Sequence, residues 1–301
     1  MSESAYQPIF VARQPIFTPN LAIWGYELLF RHSATINTAQ FPNSDVATSK
    51  VIADGYDLAQ SGLPSGTKAL VNFPRKLILQ EAAYVLPAEQ AIVEILETVV
   101  PEPEIIAACN TLKANNYQLA LDDFVGQPGY EPFLELADIV KVDVLNMQFE
   151  QIAAIAEKLK TYNCLLLAEK VETKEVFEQT TALGFNFFQG FFFSKPEIIP
   201  GRSLASNQVS RLRLLNKLSK EDFEPAEFSN IIKSDLSLSY RLLRYINSPS
   251  LGLVKKIESI DHAVRLLGQK PLLRWLRIIV MADLNPSDKG MELINRSAQR
   301  G

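Results

Sequence analysis

From residue 68 to residue 190, six short apolar runs rich in β-branched and aromatic residues alternate with longer amphipathic stretches. The runs fall at 69–73, 91–96, 118–124, 138–144, 164–171 and 185–189, and helical patterns such as 149–162 lie between them. Strands joined through helices run parallel, because a tight turn can only reverse the chain. The alternation therefore predicts repeated βα units in one parallel sheet. Upstream, 8–17 and 21–31 read as two strands joined by a Thr18-Pro19-Asn20 turn, so the chain opens on a hairpin. Eight strands close naturally into a ring whose interior side chains can fill, and the expected α/β fold is a (β/α) barrel of the TIM-like kind.

In such a barrel the residues at the carboxyl ends of the strands line the face where activity is built. Here they are Glu27, Asn72, Glu94, Asp122 with Asp123, Lys141, Glu169 and Gln189. From Asn72 onward the intervals are 22, 28, 19, 28 and 20 residues, which brings one polar position per unit to the same pocket. Five of the eight are carboxylates, an amide oxygen stands beside them, and histidine and cysteine are missing from the set. That chemistry suits a hard cation, Mg2+ or Mn2+, and argues against zinc. Taken singly, each has an ordinary reading: an acid after a strand caps the next helix, Lys141 is a surface charge and Asn72 a turn residue. Their recurrence inside runs such as Leu119-Ala120-Leu121 and Leu165-Leu166-Leu167 is what marks a functional site.

After Ser194-Lys195-Pro196 the periodicity changes. Ile198, Pro200 and Gly201 read as a linker, followed by helical patterns at 208–218, 225–233, 237–246 and 260–267. In the last of these, Ile260, Ala263, Val264 and Leu267 keep the i, i+3, i+4, i+7 spacing. The 301 residues thus divide into a barrel at 1–200 and a smaller all-α domain at 201–301. The helical domain is expected to be partial, since the sequence stops inside another helical stretch, as a truncated or short variant would.

Charge separates the two parts. Residues 1–201 carry 13 Lys+Arg against 24 Asp+Glu, net −11, whereas residues 202–277 carry 14 against 7, net +7. The parts can attract each other, and a nucleic-acid partner for the basic part is the lesser alternative. Cys109 and Cys164 lie in apolar segments and read as buried free thiols. The first eight residues lack the basic and apolar regions of a signal segment, and runs such as 278–282 are far shorter than a membrane span. A cytoplasmic protein without membrane contact is expected.

Several short blocks carry a family resemblance: Gln14-Pro15-Ile16; Gly25-Tyr26-Glu27-Leu28-Leu29-Phe30-Arg31; Val71-Asn72-Phe73; Glu94-Ile95-Leu96-Glu97; Leu121-Asp122-Asp123-Phe124; Lys141-Val142-Asp143; Ala168-Glu169-Lys170-Val171-Glu172-Thr173; and Gln189-Gly190-Phe191-Phe192-Phe193-Ser194-Lys195-Pro196. In this order, over about residues 8–196, they resemble the EAL domain of cyclic-di-GMP phosphodiesterases. The resemblance implies a barrel that binds cyclic-di-GMP and, in active members, cuts one phosphodiester with two divalent metals to give linear pGpG. Carried over position by position, it implies Glu27, Asn72, Glu94 and Asp122 on the first metal and Asp122, Asp123 and Glu169 on the second. Lys141 would orient the attacking water and, with Glu169, make up the catalytic pair. Gln14, Arg31, Asp143, Glu172 and Gln189 would lie near the dinucleotide, and Glu97 would steady the loop after Asp123. A homodimer is implied by the family alone.

The chain also departs from that pattern. The signature Glu-Ala-Leu is Glu27-Leu28-Leu29, and the loop Asp-Asp-Phe-Gly-Thr-Gly-Tyr-Ser-Ser is replaced by Asp122-Asp123-Phe124-Val125-Gly126-Gln127-Pro128-Gly129-Tyr130. Lys170 stands where the family has glycine after Glu169. Ligands are kept while the loop that organises them is altered. In the C-terminal part, Leu242-Leu243-Arg244-Tyr245-Ile246-Asn247-Ser248-Pro249, Gly252-Leu253 and 257–268 resemble the HDOD module, a helical relative of HD phosphohydrolases. An HD centre needs several histidines, yet the chain has only His32 and His262, so this part is expected to bind a signalling protein rather than to catalyse. Three readings stay open: a metal-dependent phosphodiesterase, a non-catalytic ligand sensor or scaffold, and a nucleic-acid binder acting through the basic part. Lys170 discriminates the first two, since an ammonium filling the second cation position favours the sensor.

Overall fold

The computed structural model describes residues 6–31, 44–60, 63, 64, 66–194, 196–204, 211, 214, 217, 218, 224–248, 251, 253 and 255–283. The opening hairpin is β1 (Tyr6–Phe17) and β2 (Ile23–Arg31), followed by β3 (Lys68–Phe73), β4 (Ala91–Ile95), β5 (Gln118–Phe124), β6 (Ile139–Asp143), β7 (Leu165–Glu169) and β8 (Phe187–Phe188). Strands β2 to β8 neighbour one another in chain order, and β1 lies beside β8 and also pairs with β2, which closes a ring of eight. The β2-to-β8 pairings are parallel, while β1 runs antiparallel to β8. The barrel predicted from the βα alternation is therefore present, with one reversed strand supplied by the hairpin.

A ninth strand, β9 (Glu197–Leu204), lies beyond β1 at the end of the sheet order. It takes in Ile198, Pro200 and Gly201, the stretch expected as a linker. Proline lacks an N–H and is tolerated on a strand that borders no further partner, so this proline reads as a linker by composition and serves as an edge residue in the fold.

The interior core explains how the site is positioned. Ile16, Leu70, Ile92, Ala120, Ile139, Leu167 and Phe187 form one buried cluster with Trp24 packed against it, so that each of the eight strands sends one residue inward. Trp24 and Phe187 stack with ring centroids 4.1 Å apart. Side chains on a strand share a face at every second residue. Two residues beyond the core members of β3 to β8 stand Asn72, Glu94, Asp122, Lys141, Glu169 and Gln189. The polar positions are thus the next layer on the inward face. On the reversed β1, Gln14 precedes Ile16 by two and shares that face.

Helices follow where caps and periodicity agree. Between β2 and β3 run α1 (Ser44–Lys50), a π-helical turn (Val51–Gly55) and α2 (Tyr56–Gln60); the barrel then carries α3 (Arg75–Leu79), α4 (Pro103–Ala114), α5 (Glu131–Leu134), α6 (Phe149–Leu159) and α7 (Lys174–Ala182). Helix α4 begins on proline, whose missing N–H costs nothing in the first turn. Gln148 and Gln151 cap each other's backbone at the start of α6, and the Thr173 hydroxyl accepts from Val176 N at the start of α7.

By contact the chain divides into two compact units: the barrel unit, Ala12–Leu29 with Ala59–Ile199, and a helical unit, Met1–Val11 with Phe30–Leu58 and Pro200–Gly301. Residue 200 is one crossing point, and the stretch from Phe30 to Leu58 belongs with the helices. The helical unit holds α8 (Pro225–Lys233), α9 (Leu236–Ile246), α10 (Ile260–Leu267) and α11 (Gln269–Ala282). Helices α8, α9 and α10 pack together, and α1 packs on α11. The expected helix at 208–218 lies largely outside the described residues. Buried at the centre of the unit, Arg241 pairs with Asp54 at 2.8 Å and Asp283 at 2.9 Å, all three side chains being at most a tenth exposed. His262 is exposed on α10. Among the described residues no helix is long and apolar enough to cross a membrane. Cys109 is buried, Cys164 half-buried, and both are free.

Candidate functional site

Lys141 is 1% exposed, and its ammonium stands among four carboxylates from four strands. Nζ lies 2.7 Å from Asp122 Oδ1, 2.8 Å from Glu169 Oε1 and 3.6 Å from Glu27 Oε2, and it also donates to Glu94 Oε1. The amides extend the cluster: Gln189 Nε2 donates to Glu27 Oε2 at 2.9 Å, and Asn72 Nδ2 to Glu27 Oε1 at 3.4 Å. The six strand-end positions from Asn72 to Gln189, with Glu27 of β2, therefore converge as the spacing predicts. An ammonium has three protons, so the pairs with Glu94, Asp122 and Glu169 occupy all of them.

What these side chains leave open is equally informative. Asn72 Oδ1, Glu94 Oε2, Glu169 Oε2 and Gln189 Oε1 are buried and meet no donor. Buried acceptors are normally satisfied. Four oxygens from carboxylates and amides, with no nitrogen or sulfur ligand among them, form the donor set a hard divalent cation takes, so the residues present fit such an ion.

Electrostatics point the same way. Burial pushes Glu94 well above the usual carboxylate range against the pull of Lys141, and Coulombic repulsion from Glu27, Asp122 and Glu169 adds to it. Burial likewise pushes Glu169 up to about 8, opposed by Lys141. For Asp122 burial also resists ionisation, but the attraction and hydrogen bond of Lys141 outweigh it and hold the carboxyl below its ordinary value. Burial disfavours the charge on Lys141, yet the surrounding carboxylates win and raise its pKa well above normal. One ammonium does not neutralise four acids, and burial favours the protonated forms of Glu94 and Glu169.

Asp123 departs from the inward layer. The β5–β6 register shifts between Leu121 and Phe124, and Asp123 sits at φ 44, in the left-handed region. Such a bulge re-aims side chains that would otherwise alternate. Asp122 and Asp123 thereby lie close enough that their carboxylate oxygens and one of Glu97 fall within 4.8 Å of one another. Across β6, Lys170 Nζ is 2.9 Å from Asp123 Oδ1 and 2.6 Å from Asp143 Oδ2. Tyr130 donates from its hydroxyl to Glu97 O at 2.8 Å and Gln127 Oε1 accepts from Val125 N at 2.8 Å, so the altered loop is anchored by its own residues. Glu97, expected to steady the loop, also has a place in the acidic group, a position legible only once the bulge is known.

Gly190, following Gln189, is a position only glycine can fill: at φ 153, a Cβ there would lie 2.2 Å from Val171 O and 2.4 Å from Val171 N. That close approach of two backbones sets Gln189 against Glu27. Of the residues expected near a dinucleotide, Gln189 is in the cluster, Asp143 is tied to Lys170, Gln14 is half-buried on the inward face of β1, and Glu172 is exposed. The side chain of Arg31 lies outside the described residues.

A closed eight-stranded ring with carboxylates gathered at the carboxyl ends of its strands defines a (β/α) barrel with an acidic site on its carboxyl face. Residues 63–196 match the EAL domain family and residues 204–298 the HDOD domain family. The uncharacterized protein YuxH of Bacillus subtilis is 38% identical over 286 residues, covering 92% of this chain and 69% of that protein. Cyclic di-GMP phosphodiesterase CdgJ of Vibrio cholerae is 34% identical over 301 residues, covering 99% of this chain and 69% of that one. In fold, the barrel is similar to BlrP1 of Klebsiella pneumoniae in its calcium/cyclic-di-GMP complex, with a TM-score of 0.54 and 20% identity over 67% of this chain and 61% of that chain. The chain belongs to the family of EAL-domain proteins that carry a C-terminal HDOD domain.

Proposed function

We propose that the barrel binds cyclic-di-GMP through divalent cation, Mg2+ or Mn2+, and hydrolyses one of its phosphodiester bonds to linear pGpG, in a cytoplasmic protein whose HDOD module meets a signalling partner and which self-associates as a dimer. The observation that carries the reading is the set of four donorless buried oxygens around the Lys141 cluster. The phosphodiesterase CdgJ supports it as a relative similar along the whole chain. Glu27, Asn72, Glu94, Asp122 and Glu169 would hold the cation, which when bound supplies Lewis acidity at a phosphoryl oxygen. Lys141 holds these carboxylates together through its ion pairs, and with a cation bound to them an N–H of its ammonium would be available to a water or the phosphate. Gln189 and Asn72 fix Glu27 by hydrogen bonds.

A second reading, a ligand sensor without turnover, is favoured by Lys170, whose ammonium lies on Asp123. One experiment separates the two. The purified chain is titrated with cyclic-di-GMP in Mg2+ or Mn2+ by calorimetry, and pGpG is followed by chromatography. Turnover abolished by EDTA, and lost in Glu27→Ala and Asp122→Ala, is the expected outcome. Binding without product establishes the sensor, and an absence of both overturns the site assignment.

A further inference from the structure

Lys170 occupies an unusual place for a lysine. It follows Glu169 at the end of β7 with φ 56, a left-handed conformation that costs a residue with a Cβ about 1 kcal/mol or more. Asp123, its partner at the end of β5, is left-handed too. Two strained backbones on strands flanking β6 thus aim an ammonium and a carboxylate at each other, and Asp143, at the end of β6, completes the contact from between them. Strain of this kind persists where the surroundings hold it.

Asp123 also belongs to the acidic group with Glu97 and Asp122, whose oxygens are close enough to share an ion. Asp122 in turn accepts from Lys141. A hard divalent ion needs several oxygens at once. A divalent ion in this group would have to share Asp123 with the Lys170 ammonium and Asp122 with Lys141. A tethered ammonium competes at very high local concentration for the same carboxylate.

We propose that Lys170 is a built-in monovalent cation that takes the place of a second divalent ion beside Asp123, so that the barrel holds one divalent cation, at the Lys141 cluster. This rests on the reading that the Lys141 cluster binds a cation, and the test separates the two. Mn2+ is titrated into the purified chain while free Mn2+ is followed by electron paramagnetic resonance, in the wild type, Lys170→Gly and Lys170→Arg. One ion per chain is expected in the wild type and in Lys170→Arg, and two in Lys170→Gly, with the second lost again in Lys170→Gly/Asp123→Asn. Glycine suits φ 56, so Lys170→Gly is expected to melt no lower than the wild type. Two ions in the wild type, or one in Lys170→Gly, overturns the inference while leaving the first site intact. No bound ion in any variant overturns the cation reading itself.

Discussion

Replacing Arg241 with methionine removes the guanidinium that bridges Asp54 and Asp283 while keeping an apolar stem of similar length. The bridge links the π-helical turn after α1, helix α9 and the end of α11, with both contacts under 3 Å and a side chain only 5% exposed. Breaking a buried pair leaves charge without compensation and costs about 3–5 kcal/mol. With a urea slope of about 2 kcal/mol/M, the midpoint of the helical unit should fall by about 2 M. The loss also carries a pH signature. Burial already holds the Asp54 carboxyl above its ordinary 3.8 against Arg241, and without Arg241 it rises further. The folded variant then keeps a proton that the unfolded chain releases near pH 4, so its stability falls as pH rises and its deficit against the wild type widens. Replacing all three charges, as Asp54→Asn/Arg241→Met/Asp283→Asn, should recover most of the loss, because no buried charge remains. Urea titrations at about pH 4 and about pH 7, followed by circular dichroism, test this. A loss below about 1 kcal/mol, or a deficit that does not change with pH, refutes the reasoning that the charges are sealed from water.

Two further outcomes follow from the barrel. In EDTA, Glu169 with its carboxyl pushed up to about 8 binds a proton that the unfolded chain has lost above about 4.5, so folded-state stability should fall between those limits, by up to about 5 kcal/mol. Mn2+ or Glu169→Gln should flatten that profile in thermal melts, and a profile already flat in EDTA would count against the protonated cluster. Gly190→Ala forces a methyl into the Val171 backbone and should cost about 2–3 kcal/mol while weakening metal-dependent ligand binding through Gln189; a variant of unchanged melting temperature and affinity would show that the two backbones can part freely.

How much of this was written plainly in the chain depends on the distance over which each feature is encoded. The inward layer was legible because it is local: a strand repeats its face every second residue, so Leu70 and Asn72, or Leu167 and Glu169, announce core and site together. The conjunction of Asp122 and Asp123 in one corner was not, since alternation alone sends consecutive residues to opposite faces and only the bulge against β6 reverses that. Pro200 misled by composition, and α11 lay in apolar sequence that offered no clear start except Gly268. The Asp54–Arg241 pair spans 187 residues, and no periodicity reaches so far. Its consequence is physical: Asp54, which lies in sequence between β2 and β3, is held by Arg241 of α9.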